Sequence, residues 1–260
     1  MFDSFFLIAG PCVLESNDLN QSVGQALARL SQDLKLPVIF KASFDKANRS
    51  KLGAHRGPGL EEGLELLASV RAATGLPVLT DIHEPSQAAP AAEAVDVLQI
   101  PAFLSRQTDL LVAAAATGKA VNVKKGQWMA PEDMRHAVDK VRGSGAADVA
   151  VTERGTFFGY GDLVVDMRSF SRMREATQAP VIFDGTHSVQ RPGKADGASG
   201  GDPRHIPALV AAATAAGCDG LFLEVHPRPS EAPSDATNML PLDRLPALME
   251  RVLAVREAIR

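Results

Sequence analysis

"PVIFKASFDKANRS", residues 37–50, joins a short apolar run to a segment rich in positive charge. The run "VIF" is β-branched and aromatic, which is typical of a strand, and Pro37 stands directly before it, where a missing amide is tolerated. Lys41, Lys46 and Arg49 then follow in close succession. The whole chain has a formal net charge of −4, so this cluster of cations requires a local explanation. A small anionic ligand at the end of the strand is one such explanation.

The same alternation recurs along the chain, where short apolar runs are separated by longer stretches with apolar residues at helical spacing. The predicted strands are residues 5–10, 38–42, 78–82, 97–101, 120–124, 149–153, 181–185 and 221–225. Their apolar residues are continuous rather than alternating, as expected for parallel strands that are buried on both faces. About eight strand–helix units of roughly thirty residues predict an α/β fold, a single (β/α)8 TIM barrel forming one catalytic domain over residues 1–260.

An open, doubly wound parallel sheet is the structural alternative. Such a sheet normally carries a glycine-rich dinucleotide or phosphate fingerprint after an early strand, and none is visible in the sequence. The distinction matters because barrel enzymes bind and react at the carboxyl ends of their strands. Residues at those ends are therefore the candidates for a functional site.

Composition narrows the class of protein. The 260 residues are 45% hydrophobic and 22% charged, ordinary values for a globular protein with a large core. The negative net charge argues against general nucleic-acid binding, and no apolar run is long enough to suggest a membrane span. The N-terminal stretch has an acid where a secretion signal carries basic charge, and two cysteines form no disulfide framework. We therefore expect a cytoplasmic protein without nucleic-acid or membrane partners.

Polar and charged residues follow nearly every predicted strand. Lys41, Lys124 and Arg154 lie within or directly after the second, fifth and sixth strands, so a barrel would point them into its mouth. Further out, Arg49 lies in the loop after the second strand and Arg106 at the start of the helix after the fourth. Arginine donates paired hydrogen bonds to phosphate, and lysine adds a point charge. Two separated cationic groups indicate two anionic groups, one deep and one outer.

A divalent metal site is a second hypothesis that depends on the barrel. Cys12, His187 and Glu224 follow the first, seventh and eighth strands, which are neighbours in a closed ring of eight. Asp235, on the loop after the eighth strand, could supply a fourth ligand. A set of sulfur, nitrogen and oxygen donors suits a transition ion such as Fe²⁺, Zn²⁺ or Mn²⁺. Taken singly, each residue also has a structural interpretation, since cysteine is often simply a small buried hydrophobe.

Nine segments spread along the chain form a recognisable series. They are "IAGPC" (8–12), "KASFDKANRS" (41–50), "RGPGLEEG" (56–63), "TDIHEP" (80–85), "QIPAFLSRQTDLL" (99–111), "VNVKKGQ" (121–127), "TERGTFFGYGDLVVDMRS" (152–169), "FDGTHSVQ" (183–190) and "FLEVHPRPSEAPSDA" (222–236). Together they resemble the 3-deoxy-D-manno-octulosonate 8-phosphate synthase family. The resemblance implies a barrel enzyme that condenses phosphoenolpyruvate with D-arabinose 5-phosphate, releases inorganic phosphate and serves lipopolysaccharide biosynthesis.

The resemblance also implies roles for individual residues. Phosphoenolpyruvate is expected to bind to Lys41, Ser43, Lys46, Gln99, Lys124, Arg154 and His187. The residues expected to take part in catalysis are Lys46, His187 and Asp81. The role of Asp81 is a separate hypothesis, based on its place at the end of the third strand: it would orient the sugar or help move a proton.

The second substrate and the assembly follow from the same resemblance. D-Arabinose 5-phosphate is expected to bind to Asn48, Arg49 and Ser50. The family is a homotetramer, in which Arg106 is expected to reach the sugar phosphate across a subunit interface. Segment 191–205 looks like a mobile loop over the site, and no residue role is assigned to it.

The resemblance bears on the metal as well, because the family has metal-dependent and metal-independent branches. The metal-independent branch carries asparagine where this chain has Cys12. Cys12 together with His187, Glu224 and Asp235 therefore implies the metal-dependent branch. The metal ion would position or activate the reacting water, or polarise the sugar aldehyde.

Two alternatives stay open at this point. A 3-deoxy-D-arabino-heptulosonate 7-phosphate synthase uses the same phosphoenolpyruvate chemistry with erythrose 4-phosphate, but generally carries a "KPRTS"-like segment where this chain has "KANRS" (46–50). The other alternative is a non-catalytic sugar-phosphate-binding barrel. The ring of cations at the strand ends and the candidate metal set argue against that one.

Overall fold

A closed ring of parallel strands forms the centre of the molecule. The computed structural model describes residues 1–49, 51–195 and 198–259. Its strands are β1 (Phe6–Gly10), β2 (Val38–Lys41), β3 (Val78–Asp81), β4 (Val97–Ile100), β5 (Ala120–Lys124), β6 (Val149–Glu153), β7 (Thr156–Gly159), β8 (Asp162–Val164), β9 (Val181–Asp184), β10 (Gln190–Ala195), β11 (Ala198–Gly201), β12 (Gly220–His226) and β13 (Leu240–Pro241). Within these residues, the parallel strands run in the order β1, β2, β3, β4, β5, β6, β9 and β12, and β12 pairs with β1. The predicted (β/α)8 barrel is confirmed, because the sheet has no open edge between its first and last strands.

Helices on the outside of the ring connect these strands. They are α1 (Asn17–Leu34), α2 (Leu60–Thr74), α3 (Ala88–Ala94), α4 (Thr108–Ala116), α5 (Met134–Gly143), α6 (Ser169–Thr177), α7 (Ile206–Ala215) and α8 (Leu245–Ala258). Helix α1 begins where the Ser16 hydroxyl accepts a hydrogen bond from the backbone N–H of Leu19, and it ends where Lys35 adopts a left-handed conformation. In the described residues, no helix has the length and apolar character needed to cross a membrane.

Two apolar clusters stabilise the barrel. The larger one lies between the strands and the helices. The smaller one fills the inside of the ring with Phe2, Phe6, Ile8, Ile39, Leu79, Val97, Ala120, Ala150, Ile182 and Phe222. The interior is therefore packed rather than open, as is usual for this fold. Above this packing, at the carboxyl ends of the strands, the side chains of Lys41 and Lys124 lie over the ring of Phe222.

Two antiparallel hairpins interrupt the strand–helix alternation, and the sequence pattern did not predict them. Strands β7 and β8 form the first, and β10 and β11 form the second. The first projects aromatic side chains outward, with Phe158 96% exposed. The second covers much of segment 191–205, which was predicted to be a loop; residues 196 and 197 of that segment lie outside the described part.

Close approach of β1 and β2 depends on a glycine at position 10. A Cβ atom at Gly10 would lie 2.0 Å from the carbonyl oxygen of Lys41, far inside the contact distance. We therefore expect Gly10→Ala to lower the free energy of unfolding by about 2–3 kcal/mol, because the strands must separate to make room. Urea denaturation followed by circular dichroism measures this.

The matched control is Gly143→Ala on helix α5, where an added methyl group meets no atom within 4 Å. We expect that variant to stay within about 0.5 kcal/mol of the parent. Equal denaturation midpoints for the two variants would show that the β1–β2 contact tolerates a side chain.

Candidate active site

A cavity of about 790 Å³ opens at the carboxyl ends of the barrel strands. This volume is in the range of small-molecule sites. Most residues that the sequence predicted for the site line it, namely Lys41, Ser43, Lys46, Asn48, Arg49, Asp81, Gln99, Lys124, Arg154, His187, Glu224 and Asp235. Cys12 is buried and contacts Asp235, one of the residues that line the cavity. Arg106 is exposed and lies outside the cavity lining. Ser50 lies outside the described residues.

Lys41 and Glu224 form a buried ion pair at the floor of the cavity. The Lys41 Nζ atom donates to Glu224 Oε1 at 2.8 Å and to the carbonyl oxygen of Cys12 at 3.0 Å. Burial on its own would raise the pKa of Glu224, but the positive charges of Lys41, His187 and Lys46 together lower it below its ordinary value. The contact between Lys41 and Glu224 fixes the end of β2 against β12.

Asp184 holds two predicted site residues in place. One of its carboxylate oxygens, Oδ2, accepts from Lys124 Nζ at 2.6 Å and from His187 Nδ1 at 2.8 Å. Because a carboxylate only accepts hydrogen bonds, Nδ1 of His187 is the donor in this contact, and Nε2 lies on the side of Glu224. Burial would raise the pKa of Asp184, but the charges of His187 and Lys124 hold it well below its usual range.

Arg154 presents a free donor inside the cavity. Its side chain is only 4% exposed, and Nη2 donates to Gln190 Oε1 at 2.6 Å. Its other terminal nitrogen, Nη1, is buried and has no hydrogen-bond partner among the described residues. A buried guanidinium donor left unsatisfied is costly, so this atom is well suited to an anionic ligand.

The candidate metal ligands come together as the closed barrel predicted. Ligand atoms of Cys12, Glu224 and Asp235 all lie within 4.8 Å of one another. Cys12 Sγ is 3.0 Å from Asp235 Oδ2. His187, the fourth predicted ligand, is set slightly apart, with Nε2 at 3.9 Å from Glu224 Oε1.

This donor set fits a divalent transition ion. Glu224 Oε2 is buried and has no hydrogen-bond partner among the described residues. Burial, followed by the charges of Asp235 and Glu224, raises the pKa of the Cys12 thiol well above its ordinary value. The positive charges of Lys46 and Lys41 offset this rise only in part, and a bound cation would stabilise the thiolate further. His187 fits the set too, since metal-binding histidines usually pair their second nitrogen with a carboxylate, here Asp184.

Asp81 lies on the opposite side of the cavity floor. Its Oδ1 accepts from the Ser43 hydroxyl, and its Oδ2 is 3.1 Å from His83 Nε2. Burial would raise the pKa of Asp81, but the hydrogen bond from His83 and the charge of Lys41 lower it well below its usual value. Asp81 is therefore an ionised acceptor at neutral pH.

The outer wall of the cavity is formed partly by the loop after β2. Arg49 anchors that loop, because its Nε donates to the carbonyl oxygen of His55 at 2.9 Å. Asn48 is exposed at the cavity edge. The two cationic zones predicted from the sequence thus occupy different depths, with Lys41, Lys124 and Arg154 buried and Arg49 near the surface.

Sequence reasoning missed several residues that shape the site. The sequence predicts no role for Asp184, although its carboxylate positions both Lys124 and His187. Gln190 was not considered at all, and it contacts Arg154 and Asp235. Asp184 could have been found from its place at the end of an apolar strand. Gln190 carries no such signal, since it follows the strand by six residues.

Comparison with known proteins identifies the family. The model of the DAHP synthetase I family matches residues 3–260. A 2-dehydro-3-deoxyphosphooctonate aldolase from Nitratidesulfovibrio vulgaris strain DP4 is 56% identical over 250 residues, covering 96% of this chain and 91% of the relative. Proteins with the same name from Koribacter versatilis and Syntrophobacter fumaroxidans are 57% and 51% identical, each covering 98% of this chain and 92% and 88% of the relative. The chain belongs to the DAHP synthetase I family, and the resemblance found in its motifs is confirmed.

Cys12→Asn tests the candidate metal site. We expect the variant to bind Mn²⁺ or Zn²⁺ at least about tenfold more weakly than the parent, because a thiolate ligand is replaced by a neutral amide. Metal content after dialysis against buffered ion measures this. The control is Cys218→Ser, which alters the other free thiol, buried but outside this ligand cluster, and should leave metal content unchanged. Equal metal content in Cys12→Asn and the parent would remove Cys12 from the ligand set.

Proposed function

We propose that the chain condenses phosphoenolpyruvate with D-arabinose 5-phosphate and water to give 3-deoxy-D-manno-octulosonate 8-phosphate and inorganic phosphate. This is the aldol-type transfer named by its relatives, whose name, 2-dehydro-3-deoxyphosphooctonate aldolase, is a synonym of the synthase. The observation that carries the proposal is the convergence of Lys41, Lys124 and Arg154, all buried, at the floor of one cavity. The whole chain acts as a single catalytic domain in this proposal.

The deep part of the cavity is the proposed phosphoenolpyruvate site. Phosphoenolpyruvate carries a carboxylate and a phosphate, and two such anions require several cations without water between them. The unpaired Nη1 of Arg154 donates to one of these groups, and Lys124 and Lys41 supply further charge. Ser43, Lys46, Gln99 and His187 complete the proposed lining.

Lys46 and Asp81 have fixed charges in this proposal. Burial would lower the pKa of Lys46, but its interactions with the acidic groups around it, Cys12 and Glu224 first, raise it well above its ordinary value. Lys46 therefore donates hydrogen bonds to the reacting anion and does not accept a proton. The low pKa of Asp81 likewise favours orienting the sugar over storing a proton.

The sugar phosphate is proposed to occupy the outer part of the cavity. Asn48 and Arg49 line that part, and Ser50 directly follows them in sequence. This placement brings the aldehyde carbon of the open-chain sugar over C3 of phosphoenolpyruvate. The C2–C3 π electrons of phosphoenolpyruvate form the new carbon–carbon bond, the aldehyde oxygen becomes a hydroxyl group by taking a proton, and positive charge is left at C2. Water adds to C2 and gives up its protons, and phosphate departs with cleavage of its C–O bond, leaving a ketone at C2. Holding both reactants in this geometry contributes about 7–11 kcal/mol to catalysis.

A divalent ion, proposed as Fe²⁺, Zn²⁺ or Mn²⁺, would be held by Cys12, Glu224, Asp235 and His187. When bound, such an ion supplies Lewis acidity and lowers the pKa of water. The protein's own contribution is the orientation of these ligands. Lys41 holds Glu224, and Asp184 turns Nε2 of His187 toward Glu224.

A homotetramer is proposed for the assembly, with Arg106 contributing to a neighbouring active site. An apolar patch near Arg106 supports this proposal: Phe103 stacks on Trp128 with ring centroids 6.0 Å apart, and both rings are about half exposed. The hairpin β7–β8 adds the exposed Phe158 to this side of the barrel mouth. Exposed aromatic patches of this kind mark protein interfaces. A cytoplasmic location and a place in lipopolysaccharide biosynthesis belong to the same proposal.

One assay separates this function from its nearest rival. We expect phosphate release from phosphoenolpyruvate with D-arabinose 5-phosphate, and at least about tenfold lower kcat/KM with erythrose 4-phosphate, because the shorter sugar cannot bridge the deep and outer cationic zones. Faster release with erythrose 4-phosphate would favour the seven-carbon synthase, and no release with either sugar would favour a binding barrel.

The assay is repeated after chelation and after metal is added back. Full activity in a verified metal-free preparation would remove the metal from the mechanism.

Arg154→Met tests the deep anion site. We expect kcat/KM for phosphoenolpyruvate to fall at least about 100-fold, because the variant loses a buried charged donor. Arg154→Lys should be intermediate, since lysine keeps the charge but not the paired geometry. Arg29→Met, at an exposed position on helix α1, serves as the matched control. A fall of less than about threefold in Arg154→Met would place phosphoenolpyruvate elsewhere.

A further inference from the structure

Gln190 contacts both halves of the candidate site. Its Oε1 atom accepts from Arg154 Nη2 at 2.6 Å, and its Nε2 atom donates to Asp235 Oδ1 at 3.2 Å. Arg154 belongs to the proposed anion site, and Asp235 belongs to the proposed metal set. The amide of Gln190 is therefore a direct link between the two groups.

The orientation of this amide is dictated by its neighbours. Guanidinium groups only donate hydrogen bonds, and ionised carboxylates only accept them. Arg154 Nη2 lies 2.6 Å from the amide oxygen of Gln190, and Asp235 Oδ1 lies 3.2 Å from the amide nitrogen. The oxygen of Gln190 must therefore face Arg154, and its nitrogen must face Asp235. Neither glutamate nor methionine can satisfy both partners at once.

Asp235 is positioned for metal binding by its outer oxygen. Oδ1 receives Gln190 Nε2 and Asn238 Nδ2, the second at 3.4 Å. This leaves Oδ2 directed at Cys12 Sγ, 3.0 Å away. Asn238 is itself fully buried against Gly201, where any Cβ atom would overlap its side chain. Gln190 and Asn238 thus both donate to Oδ1 of Asp235. Of these two residues, Gln190 is the one that also contacts Arg154.

Gln190 also has a firm backbone anchor. It is the first residue of β10 and pairs with Gly201 of β11. Directly before it, the carbonyl oxygen of Val189 accepts from the N–H of Asp202 at 3.1 Å. The backbone of Gln190 is therefore fixed. Because its amide contacts both side chains, a movement of Asp235 changes the position of Arg154, and the reverse also holds.

We propose that Gln190 is a positioning residue that couples metal binding to phosphoenolpyruvate binding. Metal binding at Oδ2 would restrict the movement of the Asp235 carboxylate, including its second oxygen, Oδ1. Because Oδ1 accepts from the Gln190 amide, and that amide accepts from Arg154 Nη2, the Arg154 side chain becomes less mobile as well. The Arg154 side chain then loses less conformational entropy when Nη1 binds the anion. Because coupling between two ligands is reciprocal, bound phosphoenolpyruvate must tighten metal binding by the same factor. This inference rests on the proposed function.

Gln190→Met tests the coupling, because it keeps the length of the side chain and removes both hydrogen bonds. The chelator-treated full chain is titrated with Mn²⁺, with and without saturating phosphoenolpyruvate, and free Mn²⁺ is followed by electron paramagnetic resonance. We expect phosphoenolpyruvate to tighten Mn²⁺ binding about tenfold in the parent. In Gln190→Met we expect Mn²⁺ alone to bind about tenfold more weakly, and the coupling factor to fall at least about threefold.

Two further variants make the result specific. Asn238→Ser alters the other amide on Asp235 and should weaken Mn²⁺ binding while leaving the coupling factor unchanged. Gln21→Met makes the same chemical change on helix α1, where Gln21 donates to Ser69, and should alter neither quantity. Thermal unfolding verifies that each variant is folded, and Gln190→Ala replaces Gln190→Met should the latter fail to fold.

The outcomes separate this inference from the proposed function. An unchanged coupling factor in folded Gln190→Met overturns the inference, even when the parent releases phosphate with D-arabinose 5-phosphate. A parent that binds no Mn²⁺, or that binds Mn²⁺ and phosphoenolpyruvate independently, overturns it as well. A parent that shows the coupling but no turnover with any sugar phosphate overturns the proposed function and leaves the coupling in place.

Discussion

Residues Phe6–Gly10 of β1 run parallel to Gly220–Glu224 of β12, and this pairing closes the barrel. The register places Gly10 beside Glu224, so Cys12 leaves the first strand next to the carboxylate that ends the last one. Residues from opposite ends of the chain thereby share one wall of the cavity. An open sheet would leave them on separate edges, and neither the candidate metal set nor the Lys41–Glu224 ion pair would exist.

Charge compensation sets the character of the site. Each buried lysine at the floor has a carboxylate partner, Glu224 for Lys41 and Asp184 for Lys124. Burial lowers the pKa of Lys124, and its position over the ring of Phe222, with Nζ at 3.5 Å from the ring centroid, opposes that effect. Charges paired in this way are held in place before a ligand arrives, and they need no rearrangement when charge develops during reaction. The unpaired donor of Arg154 is what remains to be satisfied by an anion.

Neutral amides connect these charged groups without changing the total charge. An aspartate or lysine in place of Gln190 would repel one of its two neighbours, Asp235 or Arg154. An amide can serve a cation and an anion together because it has a donor and an acceptor on one rigid plane. Deeper in the barrel, the amide of Asn122 joins two neutral groups instead, donating to Gln99 and accepting from Thr152.

The sequence by itself determined the barrel strands and the residues at their ends. Continuous apolar runs predicted strands such as 120–124 and 149–153 with the bounds that the structure shows, because burial on both faces leaves a local signature. The motif resemblance, which also depends on local sequence, predicted which cations and which candidate metal ligands belong to the site. The sequence pattern did not predict the hairpin β7–β8, because its exposed aromatic residues match neither the pattern of a buried strand nor that of a helix.

Only the tertiary structure decided how those residues meet. The sequence placed His187 and Asp184 three positions apart, but the structure showed that Asp184 takes Nδ1 and turns Nε2 toward Glu224. It also decided that Gln190 stands between Arg154 and Asp235. Such partnerships join residues distant in the chain, and they follow from strand register and ring closure rather than from local composition. Local propensity depends on neighbouring residues in the chain. A side-chain hydrogen bond depends instead on which partner atom the fold brings within about 3 Å of the donor or acceptor.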